Sequence, residues 1–324
     1  MTAVQSALTW RSSLDDDTAA AVSALLDAAT AADHAAPVSE NVLLHLRREL
    51  GQRAAHLLAH DSSGRLVGYA FVELAAPGSD PTGAGPGSDS PAEAVGELAV
   101  HPDARRRGVG AALVGALLAR ASGTPLRLWA HGEHPGAVRL AATLGFRQVR
   151  TLLQLHRELT EPVPAAEFAD GVMLRTFVVG QDEPEFLRVN NAAFAWHPEQ
   201  GGWDLDQVTV REAKPWFDAA GFLLAVPADH PDRLLGYHWT KVHQEGARNG
   251  GGPIGEVYVL GVDPAAQGRK LGAALTLAGL RYLRDARGMD EVMLYVEADN
   301  HAAVKVYQRL GFTSWHSDAA FLHD

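Results

Sequence analysis

One element is spelled twice in this chain. Residues 95–110 and 257–272 each read as an apolar strand, a turn at proline, and a basic, glycine-containing loop that opens a helix. The first copy runs VGELAVHPDARRRGVGAAL and the second VYVLGVDPAAQGRKLGAAL. A constant offset carries Pro102 onto Pro264 and Gly110 onto Gly272, so the chain is an internal duplication. Its 324 residues suit two domains of ordinary size, each burying a core of its own.

The repeated element has a physical purpose that either copy can serve alone. A strand leads into a turn whose backbone N–H groups sit at a helix N-terminus, where unpaired donors and the positive end of the helix dipole attract a phosphate. Gly108, Gly110 and Gly272 remove side chains where a ligand must come close, and Arg105, Arg106, Arg107, Arg269 and Lys270 add cationic donors. No GKS or GKT follows either loop and neither loop contains GxGxxG, so neither is a Walker loop or a dinucleotide fingerprint.

Charge narrows the partners. With 28 Lys+Arg against 39 Asp+Glu the formal net charge is -11, which disfavours binding to a nucleic-acid backbone and makes the Arg run at 105–107 a local ligand site. Cysteine is absent, so no disulfide holds the fold. The first residues lack a basic segment followed by a long apolar one, and the apolar stretch near 111–119 is far short of the ~20 residues that span a bilayer. A soluble, cytoplasmic monomer without membrane or nucleic-acid partners is the expectation. The fifteen His show no metal-ligand spacing, and His238 and His243 have no third or fourth ligand nearby in sequence, so no metal is expected.

The stretch Arg105-x-x-Gly108-x-Gly110 resembles the acyl-CoA pyrophosphate loop of the GNAT acetyltransferase family. The second copy, Gln267-Gly268-Arg269-Lys270-Leu271-Gly272, keeps the Gln and the last Gly but has Lys270 where the family usually has Gly. A closing block follows each loop: Asn300-x-x-Ala303-x-x-x-Tyr307-x-x-x-Gly311-Phe312 in the second half, and Ala137 to Gly145-Phe146 in the first. The resemblance implies an α/β fold of the α+β type, built as two tandem GNAT domains. Each would have a mixed, mostly antiparallel sheet flanked by helices. Residues 1–160 are expected to form the first, acetyl-CoA-binding but non-catalytic; 161–170, with Pro162 and Pro164, a linker; and 171–324 the catalytic one. Alternation places strands at 8–11, 54–60, 66–74, 173–177, 221–226 and 234–242, with helices at 17–32 and 183–194. The Gly/Pro/Ser/Asp tract at 75–93 is too poor in apolar residues to pack and is expected to be a mobile hairpin loop, matched by a shorter loop at 244–253.

An N-acetyl transfer from a thioester needs a base for the incoming amine and an acid for the leaving thiolate. Glu256 stands early in the strand beside the acyl-CoA, and Tyr307 lies in the closing helix; the repeat frame puts Ala94 and Ala141 opposite them. A strand-end Glu is by default a solvated charge and a helical Tyr a half-buried core residue. Their joint placement and joint loss in the first half make them the candidate base and acid.

The resemblance implies that acetyl-CoA is held in the first half by Leu98, Ala99, Val100, Arg106, Arg107, Gly108, Val109, Gly110 and Ala111. In the second half it implies Leu260, Gly261, Val262, Gln267, Gly268, Arg269, Lys270, Leu271, Gly272 and Ala273, with Asn300 and Lys305 from the closing helix. For the acceptor it implies Glu40, Glu185, Lys241, Glu256 and Tyr295, with Trp196, His197 and Trp203 as possible borders of the cleft. The blocks NNAAFAWHPEQGGW and HWTKVH are similar to a tandem branch of the family that acetylates the cysteine amine of a glucosaminyl-inositol thiol precursor. Another small amine (an aminoglycoside, a peptide N-terminus or a polyamine) and an acyl-CoA-sensing module without turnover stay open as alternatives.

Overall fold

Every strand and helix that the sequence pattern marks is present, and the chain divides into two compact units of the same topology. The structure, a computed structural model, describes residues 7–74, 93–132, 134–195, 200–244 and 252–324, the side chain of Glu40 excepted. The loop tract expected at 75–93, all but Glu93, and most of that at 244–253 lie outside the described residues, as do Trp196 and His197.

The first unit comprises Met1–Leu152 and His316–Asp324, the second Leu153–Trp315. In chain order the first half runs β1 (Ala7–Arg11), α1 (Asp16–Asp33), α2 (Glu40–His45), β2 (Ala54–His60), β3 (Leu66–Glu73), β4 (Ala94–Val100), α3 (Val109–Ala121), β5 (Leu126–Ala130), α4 (Pro135–Thr143) and β6 (Arg147–Glu158). The second half runs β7 (Val172–Thr176), α5 (Glu183–Ala193), α6 (Leu205–Glu212), β8 (Phe222–Pro227), β9 (Gly236–His243), β10 (Ile254–Val262), α7 (Leu271–Arg281), β11 (Glu291–Glu297), α8 (His301–Arg309) and β12 (Thr313–His323).

Within the first unit β1 to β4 pair antiparallel in sequence order, β4 and β5 run parallel, and β12 closes the sheet antiparallel to β5. The second unit repeats this from β7 to β11, with β6 beside β11. Each sheet therefore ends on the strand that follows the other repeat's closing helix. That exchange moves the domain boundary. Residues 153–160, expected in the first domain, and Val163 of the expected linker pack into the second unit's core through Leu155, Leu159 and Val163, whereas 316–324, expected in the second domain, complete the first. An alternating strand pattern fits either sheet, so the sequence alone cannot choose between them.

The helices form for local reasons and bury one face each. Asp15 caps α1 by accepting from the Thr18 N–H at 2.8 Å, and Ala19, Val22, Leu25, Leu26 and Ala29 fall at helical spacing on its buried face. In the second unit a ring stack of Phe177, Phe222 and Trp239, with centroids 4.3 and 4.4 Å apart and Phe186 edge-on, fills the space under α5 and α6. The sheet's other face carries α7, whose Gly279 lets the buried His238 ring lie against the helix; a Cβ there would stand 2.1 Å from the imidazole.

Candidate functional site

β10 is the strand that builds the site, and an extra residue in it decides the geometry. The antiparallel register with β9 runs Gly236↔Val262, Tyr237↔Gly261, His238↔Leu260 and Trp239↔Val259, then shifts so that Thr240 pairs Val257 and Lys241 pairs Glu256. Tyr258 is the bulged residue. A bulge opposes two residues to one and bends its strand. Consequently Val257 and Leu260, three apart, both face the core under α7 and α8, whereas Glu256, Tyr258 and Val259 face the α5/α6 side. The parallel pairing with β11 covers Gly255↔Val292 and Glu256↔Met293. Beyond Glu256, among the described residues, β10 has register partners on β9 alone, which leaves the other edge of Leu260, Gly261 and Val262 able to offer backbone groups to an extended amide chain.

Glu256 is 7% exposed, and an ionised carboxylate at that depth requires a partner. His243 provides it: Nε2 lies 2.7 Å from Oε2, on the sheet face that Lys241 also occupies. Lys241 Nζ rests 4.9 Å from the Trp216 ring centroid and 5.3 Å from that of Tyr258. Tyr295 lies on the same face, two residues past Met293, with its hydroxyl accepting from Gln154 Nε2 at 3.1 Å.

Tyr307 approaches from the opposite face. It is buried in α8 with Val257 and Leu260, edge-on to Phe312 at 5.6 Å, and burial pushes its hydroxyl up to about 12, so it carries its proton at neutral pH. The Glu256 carboxylate and the protonated Tyr307 hydroxyl thus lie on opposite faces of the sheet.

Both loops have the backbone their sequences suggest. After Asp263, whose side chain caps a short turn at Pro264–Ala266, Gly268 and Lys270 take φ of 81° and 59°, and α7 starts with no side-chain cap. In the first copy Arg106 and Gly108 take φ of 64° and 90°, and α3 is likewise uncapped by a side chain. Each copy has one glycine and one cation at its two left-handed positions, in opposite order. A left-handed turn before an uncapped helix N-terminus turns successive N–H groups into a concavity that fits a pyrophosphate. Gln267, Arg269 and Lys270 are exposed there, as are Arg106 and Arg107. Arg105 is committed elsewhere, bonding both oxygens of Asp33 at 2.7 Å and the Val100 carbonyl at 3.1 Å, and so braces the loop. Asn300 caps α8 by accepting from the Ala303 N–H, and Lys305 is exposed on that helix.

Two further expectations fare differently. The Glu185 carboxylate is engaged by Arg188 and by the Leu234 N–H at 3.0 Å, roughly 20 Å of strand from Lys241, and so does not join the Glu256 cluster. Trp203 is buried core, with the Arg211 guanidinium 3.9 Å from its ring centroid. Glu40 opens α2 in the first unit. His238 and His243 fall on opposite faces of β9, and no cluster of three metal-ligating side chains occurs among the described residues.

The first unit corrects the repeat frame. Gly68↔Val100 corresponds to Gly236↔Val262, and counting back gives Glu73↔Val95 against Lys241↔Glu256. Because β4 pairs with β3 without a bulge, Val95, not Ala94, is the counterpart of Glu256. Ala141 does match Tyr307, since Phe146 N–H bonds the Ala141 carbonyl at 2.9 Å as Phe312 N–H bonds that of Tyr307 at 3.0 Å.

Sequence reading missed a buried cluster in this unit. Glu97, the last residue of β4 paired with β5, accepts from the N–H and Oγ of Ser39 and from His131, which also meets Asp318 at 3.1 Å. With its oxygens already engaged, Glu97 is a poor base and a firm brace. Burial alone would lower the His131 pKa, but the bonds to Asp318 and Glu97 outweigh it and raise it to about 9. The unfolded ring titrates near 6.5, so the stabilisation is complete below about pH 6.5 and is lost as pH rises through about 9. Denaturant titrations should show this unit losing up to roughly 3 kcal/mol across that window, and His131→Gln should flatten the slope; an unchanged slope would exclude the cluster as its source.

The Acetyltransferase (GNAT) family profile matches residues 21–146 and 189–312, one match per repeat. The chain is 50% identical over 314 residues to the mycothiol acetyltransferase of Nocardia farcinica, covering 96% of each chain. It is 51% identical to that of Salinispora tropica, over 91% of this chain and 89% of the relative. Among solved structures, a GCN5-related N-acetyltransferase from Sphaerobacter thermophilus superposes with a TM-score of 0.70 at 25% identity, over 98% of this chain and 95% of that one. A tandem GNAT protein from the clavulanic acid biosynthesis pathway shares the fold, with a TM-score of 0.67 at 22% identity and 98% coverage of both chains. With a match in each repeat and half of its residues shared with such relatives along nearly its whole length, this chain belongs to the GNAT acetyltransferase family, among the mycothiol acetyltransferases.

Proposed function

We propose that this chain is an acetyl-CoA-dependent N-acetyltransferase that acetylates the cysteine amine of cysteinyl-glucosaminyl-inositol, the acetyl transfer of mycothiol biosynthesis. The observation that carries the reading is the pairing of the buried Glu256 with the half-buried His243 where β10 parts from β11, with a protonated Tyr307 on the other face of the sheet. The acceptor nitrogen gives a proton to the Glu256 carboxylate and attacks the thioester carbonyl. A C–N bond forms, the C–S bond breaks, and the departing thiolate takes the Tyr307 proton; the second proton on the nitrogen returns to the Tyr307 oxygen, and Glu256 passes the one it took to solvent. His243 orients Glu256 through the Nε2···Oε2 contact. Lys241 and Tyr295, on the face of Glu256, contact the acceptor's hydroxyls. The second loop, through Gln267, Gly268, Arg269 and Lys270 and the α7 N-terminus, holds the pyrophosphate of the reacting cosubstrate.

The first unit keeps the loop but has Val95 and Ala141 where the second has Glu256 and Tyr307, so on this reading it binds acyl-CoA without turnover. The enzyme works in the cytoplasm, where its cosubstrate is made, as a monomer with a small-molecule acceptor.

Release of CoA thiol, measured with the cysteinyl amine and with an aminoglycoside, a peptide N-terminus and a polyamine, tests the acceptor. We expect kcat/KM for the cysteinyl substrate to exceed the others by at least about 100-fold, the discrimination available to a site that hydrogen-bonds a polyol. Equal values across these amines would contradict the assignment.

A further inference from the structure

We infer that Lys241 is a self-acetylation site: when no acceptor is bound, the second unit transfers acetyl from its own acetyl-CoA to Lys241 Nζ and so blocks the acceptor face. The inference rests on the reading of this unit as the site of acetyl transfer, and it adds what the site does when the acceptor is missing.

The register brings an amine to the base. Lys241 on β9 pairs with Glu256 on β10, and directly opposed residues of an antiparallel pair have their Cβ atoms about 5 Å apart on one face. Nζ rests 4.9 Å from the Trp216 ring centroid and 5.3 Å from that of Tyr258, which lies on β10 between Glu256 and Leu260. It therefore leans along the strand whose free edge, on this reading, carries the acyl-CoA. Among the described residues Nζ has no carboxylate in ion-pair contact, since the Glu256 oxygen is engaged by His243 at 2.7 Å, and the flexible four-carbon stem is left able to swing.

The choice of residue points the same way. Lysine occurs at four positions, 214, 241, 270 and 305, against 24 arginines, so a Lys opposite the base is not this chain's ordinary cation. A guanidinium keeps its proton, whereas an ammonium can yield one to a neighbouring base. Lys214, Lys270 and Lys305 are exposed; Lys241 is half-buried beside Glu256. In the sister repeat, which has Val95 in place of Glu256, Glu73 stands where Lys241 does.

The step follows the course of the acceptor reaction. The Lys241 ammonium gives a proton to Glu256 and its freed lone pair attacks the thioester carbonyl. An N–C bond forms, the C–S bond breaks and the thiolate takes the Tyr307 proton; the second proton on Nζ returns to the Tyr307 oxygen, and Glu256 releases its own to solvent. The product is a neutral, bulkier amide that has lost the charge offered to the acceptor's hydroxyls.

The test incubates the full chain with acetyl-CoA and no acceptor, follows intact mass and maps acetylated peptides, with exposed Lys214 as the measure of uncatalysed acetylation. Lys241 should be modified faster than Lys214 and at least about 100-fold faster than in Glu256→Gln. Saturating cysteinyl-glucosaminyl-inositol should protect it, and Gly272→Asp should prevent the reaction. In the acetylated protein kcat/KM for the acceptor should fall at least about tenfold, the worth of one lost charged hydrogen bond. Lys241→Arg keeps the cation and should gain no acetyl group under the same conditions. Absence of CoA thiol release with every amine removes the acetyl-transfer reading and the inference with it. In a protein that does turn over the cysteinyl amine, an unmodified Lys241, equal modification in Glu256→Gln, equal acetyl uptake by Lys241→Arg, or an unchanged kcat/KM after modification overturns the inference alone.

Discussion

Glu256→Gln is expected to lower kcat by roughly 10²–10⁴ at neutral pH, the usual worth of a positioned general base. The amide keeps the shape of the carboxylate, and its oxygen can still accept from His243 Nε2, which lies 2.7 Å from Oε2 in the parent, so the packing around a residue 7% exposed survives the change. What is lost is the capacity to take a proton from the acceptor amine as the C–N bond forms. Activity should therefore recover in part as pH rises and the free amine accumulates without help. Affinity for acetyl-CoA should barely move, since the cosubstrate is gripped through the loop at 267–272. Steady-state rates from pH 6.5 to 9.5 check this. Turnover within twofold of the parent at pH 7.5 would remove Glu256 from the mechanism.

Much of the fold was legible because the chain states it twice. Strands at 54–60 and 66–74, and the loop after Pro102, each have a partner in the other half, and the structure places β2, β3 and both helix N-termini there. The exchange of β6 and β12 was hidden because alternation fixes which face of a strand is buried but not which neighbour it pairs with. The bulge at Tyr258 was hidden for a related reason. It leaves no gap in the sequence, yet it moves the counterpart of Glu256 from Ala94 to Val95.

At the site, Glu256 and Tyr307 stood out because the sister repeat lacks both. In the sequence His243 stands out only beside His238, without the further ligands that a metal needs. Its place beside Glu256 follows from the β9–β10 register, which sets Lys241 opposite Glu256 and His243 two residues further along the same face. The Glu97–His131–Asp318 cluster joins residues from β4, the end of β5 and β12, so no local pattern in the sequence announces it.

The central claim is that turnover belongs to the second repeat alone, and disabling the two loops separately tests it most directly. A Cβ on Gly272 would meet nothing within 4 Å and the residue's φ is not positive, so Gly272→Asp is tolerated by the fold while setting a carboxylate against the pyrophosphate. An anion at a helix N-terminus is held by N–H donors and the dipole, and a fixed negative charge there opposes it directly. Arg106→Glu with Arg107→Glu does the same to the first loop through two exposed side chains. Steady-state turnover, with calorimetric stoichiometry for CoA on each folded variant, gives the answer. The account predicts that Gly272→Asp abolishes turnover, by at least about 100-fold, whereas the Arg106 and Arg107 reversal removes one of two CoA sites and leaves kcat within about twofold. Loss of turnover in the Arg106 and Arg107 variant as complete as in Gly272→Asp would contradict it.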